Sequence, residues 1–197
     1  MNPEEIVHAC LGELYRYRLA VGDQRERILL ATEEVQAERQ QIDADEYKLL
    51  FAPSMSREAF QEQLEAIHHR DIPLLWRLKT EGEFLLTAVY GIYTMAKAIR
   101  RASERDLNAC VHRAIGDFET AAPDADLLRH LHVHSDSYIR GEGLDADRLP
   151  DPTETGAVAM SEDGPVYWIG GKLFVLFESA DAADELAEVV GICIEPR

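Results

Sequence analysis

The sequence predicts a mostly α fold: a helical bundle carrying a small C-terminal antiparallel β-meander plus helix. Three observations lead to it. Apolar residues recur every three to four positions up to about residue 143, the pattern of amphipathic helices. An acidic stretch with two prolines follows, and beyond it come short β-branched and aromatic runs separated by glycine-containing turn signals. At 197 residues, 46% hydrophobic and 29% charged, the chain can build one sizeable core and is neither a disordered tail nor a collagen-like repeat.

Pro3 to about Ala20 carries Ile6, Cys10, Leu14, Tyr17 and Val21 on one stripe, and Asn2 ahead of Pro3 is a good helix start. Gly22, then Asp23 with Glu26 three residues on, resembles a fresh capping box. The continuation through Ile28, Thr32, Val35 and Arg39 is therefore either the second arm of a helical hairpin or part of one long kinked helix. The segment ending at Ser56 reads as the first connection, with Ser56 as cap. A helix from Arg57 is expected to bury Phe60, Leu64 and Ile67. Pro73 either kinks it or, with Asp71 as N-cap, opens a new one. Leu75, Leu78, Leu85, Val89, Ile92, Ala96 and Ile99 make a bundle-type stripe to about Ser103.

The next helix, about Leu107 to Glu119, shows Val111, Ile115 and Phe118. Another begins at Pro123 and Asp124 and stops at Gly141 and Gly143. Residues 1–143 are thus assigned to the bundle, 144–155 to an acidic linker and 156–197 to a ββ(β)α appendage. In the appendage, AVAM, PVYWIG and KLFVLF read as strands joined at Asp163-Gly164 and Gly170-Gly171, ADAADELAEVV reads as a covering helix, and GICIE reads as a last edge strand.

The formal net charge is −17, which disfavours a constitutive DNA-coating role. The first 120 residues hold 15 basic and 21 acidic side chains, whereas residues 121–197 hold 5 and 16, so the acid load is C-terminal. Cys10, Cys110 and Cys193 are scattered and odd in number, with no CxxC pair, and reduced structural thiols are expected. The acidic N-terminal MNPEEIVHACLGEL lacks the pattern of a secretory signal, and no stretch approaches the ~20 apolar residues of a membrane span. A cytoplasmic chain without a membrane partner is expected.

Four of the seven histidines fall between His112 and His134, and RHLHVH places three at alternate positions. On a helix, Leu127, Leu131, His134 and Tyr138 share a face, with His130 at its border. One reading is a core or groove histidine bonded to backbone or Tyr138. A second is a metal pair at His130 and His134, for which the sequence offers no HExxH or carboxylate-rich motif; no metal and no cofactor is expected.

A third reading is a resemblance. Arg129, then the polar His130, and His134 after four intervening residues resemble the RxxxxH signature of the HEPN superfamily. The run LLRHLHVHSDSYIRGEG is similar to the late-helix segment of bacterial HEPN-like proteins, over roughly residues 80 to 143. The resemblance implies a four-helix-type bundle, usually a homodimer, that cleaves RNA without a metal. His134 would take the 2′-hydroxyl proton, Arg129 would stabilise the charge on the transferring phosphoryl group, and His130 would fill the polar position after the arginine.

Lys97 to Arg113 holds five basic and two acidic side chains, including Arg100, Arg101 and Arg105. This is either a modest RNA-contacting patch or a solvated helix end complementing its dipole. A bundle with an uncovered face is expected to pair with a second copy through isologous surfaces. The alternative to RNA cleavage is a non-catalytic module that binds a protein partner through the acidic linker and appendage; there Trp168 and Phe174 to Phe177 are expected to form the packed face, with alternation leaving some aromatic surface for a partner.

Overall fold

The computed structural model describes residues 2–52, 55–133, 156–161, 164–169 and 171–194. Among them are six helices and one sheet: α1 (Pro3–Leu50), α2 (Arg57–His68), α3 (Ile72–Ala102), α4 (Arg105–Ala121), α5 (Ala125–Val133), β1 (Ala157–Ser161), β2 (Gly164–Ile169), β3 (Lys172–Val175) and α6 (Leu176–Ile194). The mostly α fold with a small antiparallel sheet and a final helix is as the sequence predicts.

Helix α1 is a single element. Asn2 and Glu5 form a reciprocal capping box at 2.8 and 2.9 Å, with Pro3 in the first turn. Gly22 does not break the helix, and Asp23 pairs with Arg27 instead of opening a new one. At 48 residues, α1 is about 72 Å long. It buries Leu14, Val21, Ile28, Ala31 and Val35 against α3, whose Leu78, Leu85, Val89, Ile92, Ala96 and Ile99 are buried as their spacing predicts. The two helices run antiparallel, because Tyr17 meets Gly91 while Glu34 pairs with Arg77 and Arg39 with Asp71. Gly91 sets the approach: a Cβ there would lie 2.5 Å from the Tyr17 ring.

Three local expectations are corrected. Ser56 caps α2 through the Ala59 amide at 3.2 Å, but Phe60, Leu64 and Ile67 are only half-buried, since α2 rests mainly on α1. Asp71 stands at the head of α3 without a side-chain capping bond, because its carboxylate accepts from Arg39 Nε at 3.1 Å. The described part of GICIE, residues 191–194, is not a strand: α6 continues through Ile194, with Val190 and Gly191 buried on its packed face.

The sheet has order β1-β2-β3, with both pairs antiparallel. Tyr167 pairs with Val158 on one side and Phe174 on the other, and Tyr167 and Phe174 face inward, fully buried. The alternate position is occupied by Trp168 opposite Leu173; both are exposed. Tyr167, Ile169 and Phe174 share one core with α1, α3, α4, α5 and α6. No helix among the described residues is long and apolar enough to cross a membrane.

Cys110 on α4 and Cys193 on α6 form a disulfide across 83 residues of sequence, leaving Cys10 free. The expectation of reduced thiols is thereby corrected. It failed because sequence spacing says nothing about which helices lie side by side, and it had been one support for a cytoplasmic location.

Two predictions follow from this packing. Replacing Cys110 and Cys193 together by serine should lower the unfolding free energy by about 2–4 kcal/mol, since the bridge restricts the unfolded chain; an unchanged urea midpoint would show that it contributes nothing. Gly91→Ala should cost about 1–3 kcal/mol through overpacking, and the loss should shrink in a Tyr17→Ala background. Equal losses in both backgrounds would mean that Tyr17 is not what limits the approach.

Candidate functional site around Arg129

Tyr90, Tyr93 and Lys97 lie at i, i+3 and i+7 on α3 and therefore share one face. Helix α5 is delivered onto that face by a tight turn. Asp124 has φ of +64°, uncommon outside glycine; its carbonyl accepts from the Leu128 amide at 2.8 Å, and its carboxylate accepts from Lys172 Nζ at 2.8 Å. The turn thus ties α5 to β3 while Leu127 and Leu128 enter the core.

The Arg129 guanidinium then lies 5.8 Å from the centroid of the Tyr90 ring. Its Nε is buried and has no hydrogen-bond partner among the described residues. A guanidinium near an aromatic face is attracted by the ring without a hydrogen bond, and a guanidinium fork suits a phosphate. His130 beside it is half-buried. His134 lies outside the described residues, as do Tyr138, Gly141, Gly143 and the 144–155 linker.

The structure does not bring Arg100, Arg101 and Arg105 to Arg129. Helix α5 runs from Asp126, near Tyr93, to Arg129 at Tyr90, while Arg100 stands ten residues further along α3, about 15 Å away along the axis. Arg100 instead donates to His112 Nδ1 at 3.1 Å, and Arg101 is exposed. Arg105 lines a cavity of about 720 Å³ between the start of α1, the α3–α4 turn and the end of α6, with Val7, His8 and Leu107 among its neighbours.

Sequence reasoning missed a polar cluster at the foot of α5. Tyr93, 5% exposed and stacked on Phe118 at 5.3 Å, donates to Glu119 Oε1 at 2.5 Å, and Lys97 Nζ reaches the same phenol at 3.3 Å. Burial, then the bond to Glu119, pushes the Tyr93 phenol well above the ordinary tyrosine value. The signal available in sequence was the i, i+4 pairing of Tyr93 with Lys97, but Tyr93 also fits the apolar stripe and is absorbed by it. Tyr167 is a parallel case under the sheet: burial, then the nearby Glu83 carboxylate 3.2 Å away, raises its phenol.

Among the described residues, no group of three or more His, Cys, Asp or Glu side chains is placed to hold a metal ion. Comparison with protein-family models, curated proteins and solved structures finds no match.

Both raised phenols are acids that the folded chain keeps protonated after the unfolded chain has released them. The native state then binds more protons, so stability should fall as pH rises above about 10. Urea unfolding between neutral and alkaline pH should show this fall, and Tyr93→Phe and Tyr167→Phe should each flatten it. An identical pH slope in both variants would remove these phenols as its source.

Proposed function

We propose that the chain is a HEPN-like helical bundle that acts as a metal-independent RNA endonuclease, of the kind used in bacterial defence or toxin systems. One observation supports it most: Arg129, the first residue of the RxxxxH motif, has its guanidinium 5.8 Å from the Tyr90 ring and a buried Nε without a hydrogen-bond partner among the described residues. A buried donor without a partner is costly, and a phosphate oxygen is the acceptor that a guanidinium fork suits best.

In this reading the substrate's own 2′-oxygen attacks the adjacent phosphorus. The imidazole of His134 takes the hydroxyl proton, the P–O2′ bond forms, and the P–O5′ bond breaks as the leaving oxygen gains a proton from solvent. Arg129 stabilises the charge gathering on the non-bridging oxygens, and His130 supplies the polar neighbour of the motif. The products are a cyclic phosphate and a 5′-hydroxyl end. A homodimer would bring two such motifs together. Arg100 and Arg101 near the end of α3 and Arg105 at the start of α4 stand too far away to touch the reacting phosphate and would contact flanking RNA.

A second reading, a non-catalytic interaction module, is favoured by α6, which carries five carboxylates and no basic residue over its 19 positions. The two are separated by incubating a labelled RNA pool in EDTA with the wild type, Arg129→Ala and His134→Ala. The nuclease reading expects cyclic-phosphate ends from the wild type and losses of about 100-fold or more in each variant, with helix content unchanged. Absence of cleavage by the folded wild type would transfer the assignment to the interaction module.

A further inference from the structure

Helices α1 and α6 lie side by side and antiparallel, with Arg25 level with Asp181 and Arg18 level with Asp184 and Glu188. The groove between them has a volume of about 600 Å³. Its floor includes Val21, Gly22 and Ala180. Gly22 leaves the α1 backbone bare, because nothing lies within 4 Å of where its Cβ would be. One end carries Val189 and Ile192, the latter 62% exposed.

The α6 wall is acidic, formed by Asp181, Asp184, Glu185 and Glu188. Arg18 grips Asp184 with two bonds at 2.6 and 2.9 Å and reaches Glu188 at 3.1 Å, while Arg25 holds Asp181 at 3.1 Å. Four carboxylates thus face two guanidiniums, and Glu185 makes no ion pair among the described residues. Nothing internal requires this excess. It stands beside the exposed Ile192, the half-buried Val189 and the bare α1 backbone at Gly22, the combination that seats an amphipathic helix by its apolar stripe and orients it by its charged flank.

We infer that the α1–α6 groove is a docking site for a basic amphipathic helix of a partner protein. Charge selects this occupant. A polyanion would meet the carboxylate wall, and a second copy would bring another chain of formal charge −17 with the same wall. A helix with leucine-type residues on one face and lysine or arginine on its flanks meets both features. From Asp181 to Ile192 the wall extends about 16 Å, or three helical turns. The inference deepens the interaction reading but does not require it, since a nuclease could carry the same groove.

The test uses the full chain and a fluorescent peptide of about 18 residues, long enough to span the groove, with leucine at i, i+3, i+4 and i+7 and lysine elsewhere. Fluorescence anisotropy should show saturable binding that weakens about tenfold in Glu185→Lys and in Ile192→Ser. It should be unmoved by Glu62→Lys, the same charge change on exposed α2, and lost when the peptide's lysines are replaced by glutamate. Absence of binding overturns the inference. So does equal weakening by Glu62→Lys, which would mean bulk charge attraction, or indifference to Ile192→Ser. Association of the free chain with itself that Ile192→Ser abolishes would assign the groove to a second copy instead. RNA cleavage measured on the same variants keeps the two proposals distinct: loss of peptide binding with cleavage intact, or the reverse, reports on one alone.

Discussion

The close approach of α1 and α3 at Gly91 is the constraint on which the other elements depend. With no side chain at that position, the Tyr17 ring occupies the space a Cβ would need, and the two longest helices meet along their apolar stripes. Register is then fixed by polar contacts at the margins: Gln24 bonds Glu81, Arg77 pairs with Glu34 at 2.6 Å, and Arg39 with Asp71 at 3.1 Å. The exposed Arg77–Glu34 pair contributes little free energy by itself. The value of these contacts lies in spacing, since a slip by one turn would separate all of them while the apolar stripes could still overlap.

Once α1 and α3 are paired, the remaining elements attach to surfaces that pair creates. Helix α6 lies against α1, α3 and α4, its buried alanines at 180, 182, 183 and 187 allowing a near approach. The Cys110–Cys193 bridge fastens it to α4 from the far end of the sequence. The sheet is placed by the same logic, since Tyr167 is buried and bonds Glu83 on α3. Strands and final helix therefore complete the bundle's own core, although a change of composition sets them apart in sequence.

How much of this was legible depended on whether the signal was local. The α3 stripe, the α4 residues Val111, Ile115 and Phe118, and the two hairpin positions are set by neighbours a few residues away, and periodicity reveals them. The continuation of α1 past Gly22 was harder, because glycine and an Asp–Glu pair make the same local pattern whether the helix stops or goes on, and only packing against α3 decides. Partners distant in sequence were not readable at all: Cys110 with Cys193, the helical state of GICIE, and the Tyr93–Glu119 contact all require the bundle to exist first. At the candidate site, Arg129 could be picked out by type and spacing. That its guanidinium would rest on Tyr90 could not, because Tyr90 lies 39 positions earlier on another helix.

The same geometry bears on Arg129, whose Nε has no hydrogen-bond partner among the described residues. Helix α6, with five carboxylates and no basic residue, lies against α4, α3 and α1, whereas α5 lies against α3 and the sheet. No α6 carboxylate pairs with Arg129 among the described residues, and two carboxylates near α5 are already engaged, Asp124 by Lys172 and Glu119 by Tyr93. Beyond roughly one Debye length, about 10 Å at moderate salt, the remaining field is screened at the surface. Net charge is therefore a poor guide to what Arg129 can bind. The groups around it decide, and among the described residues its Nε is a donor without an acceptor.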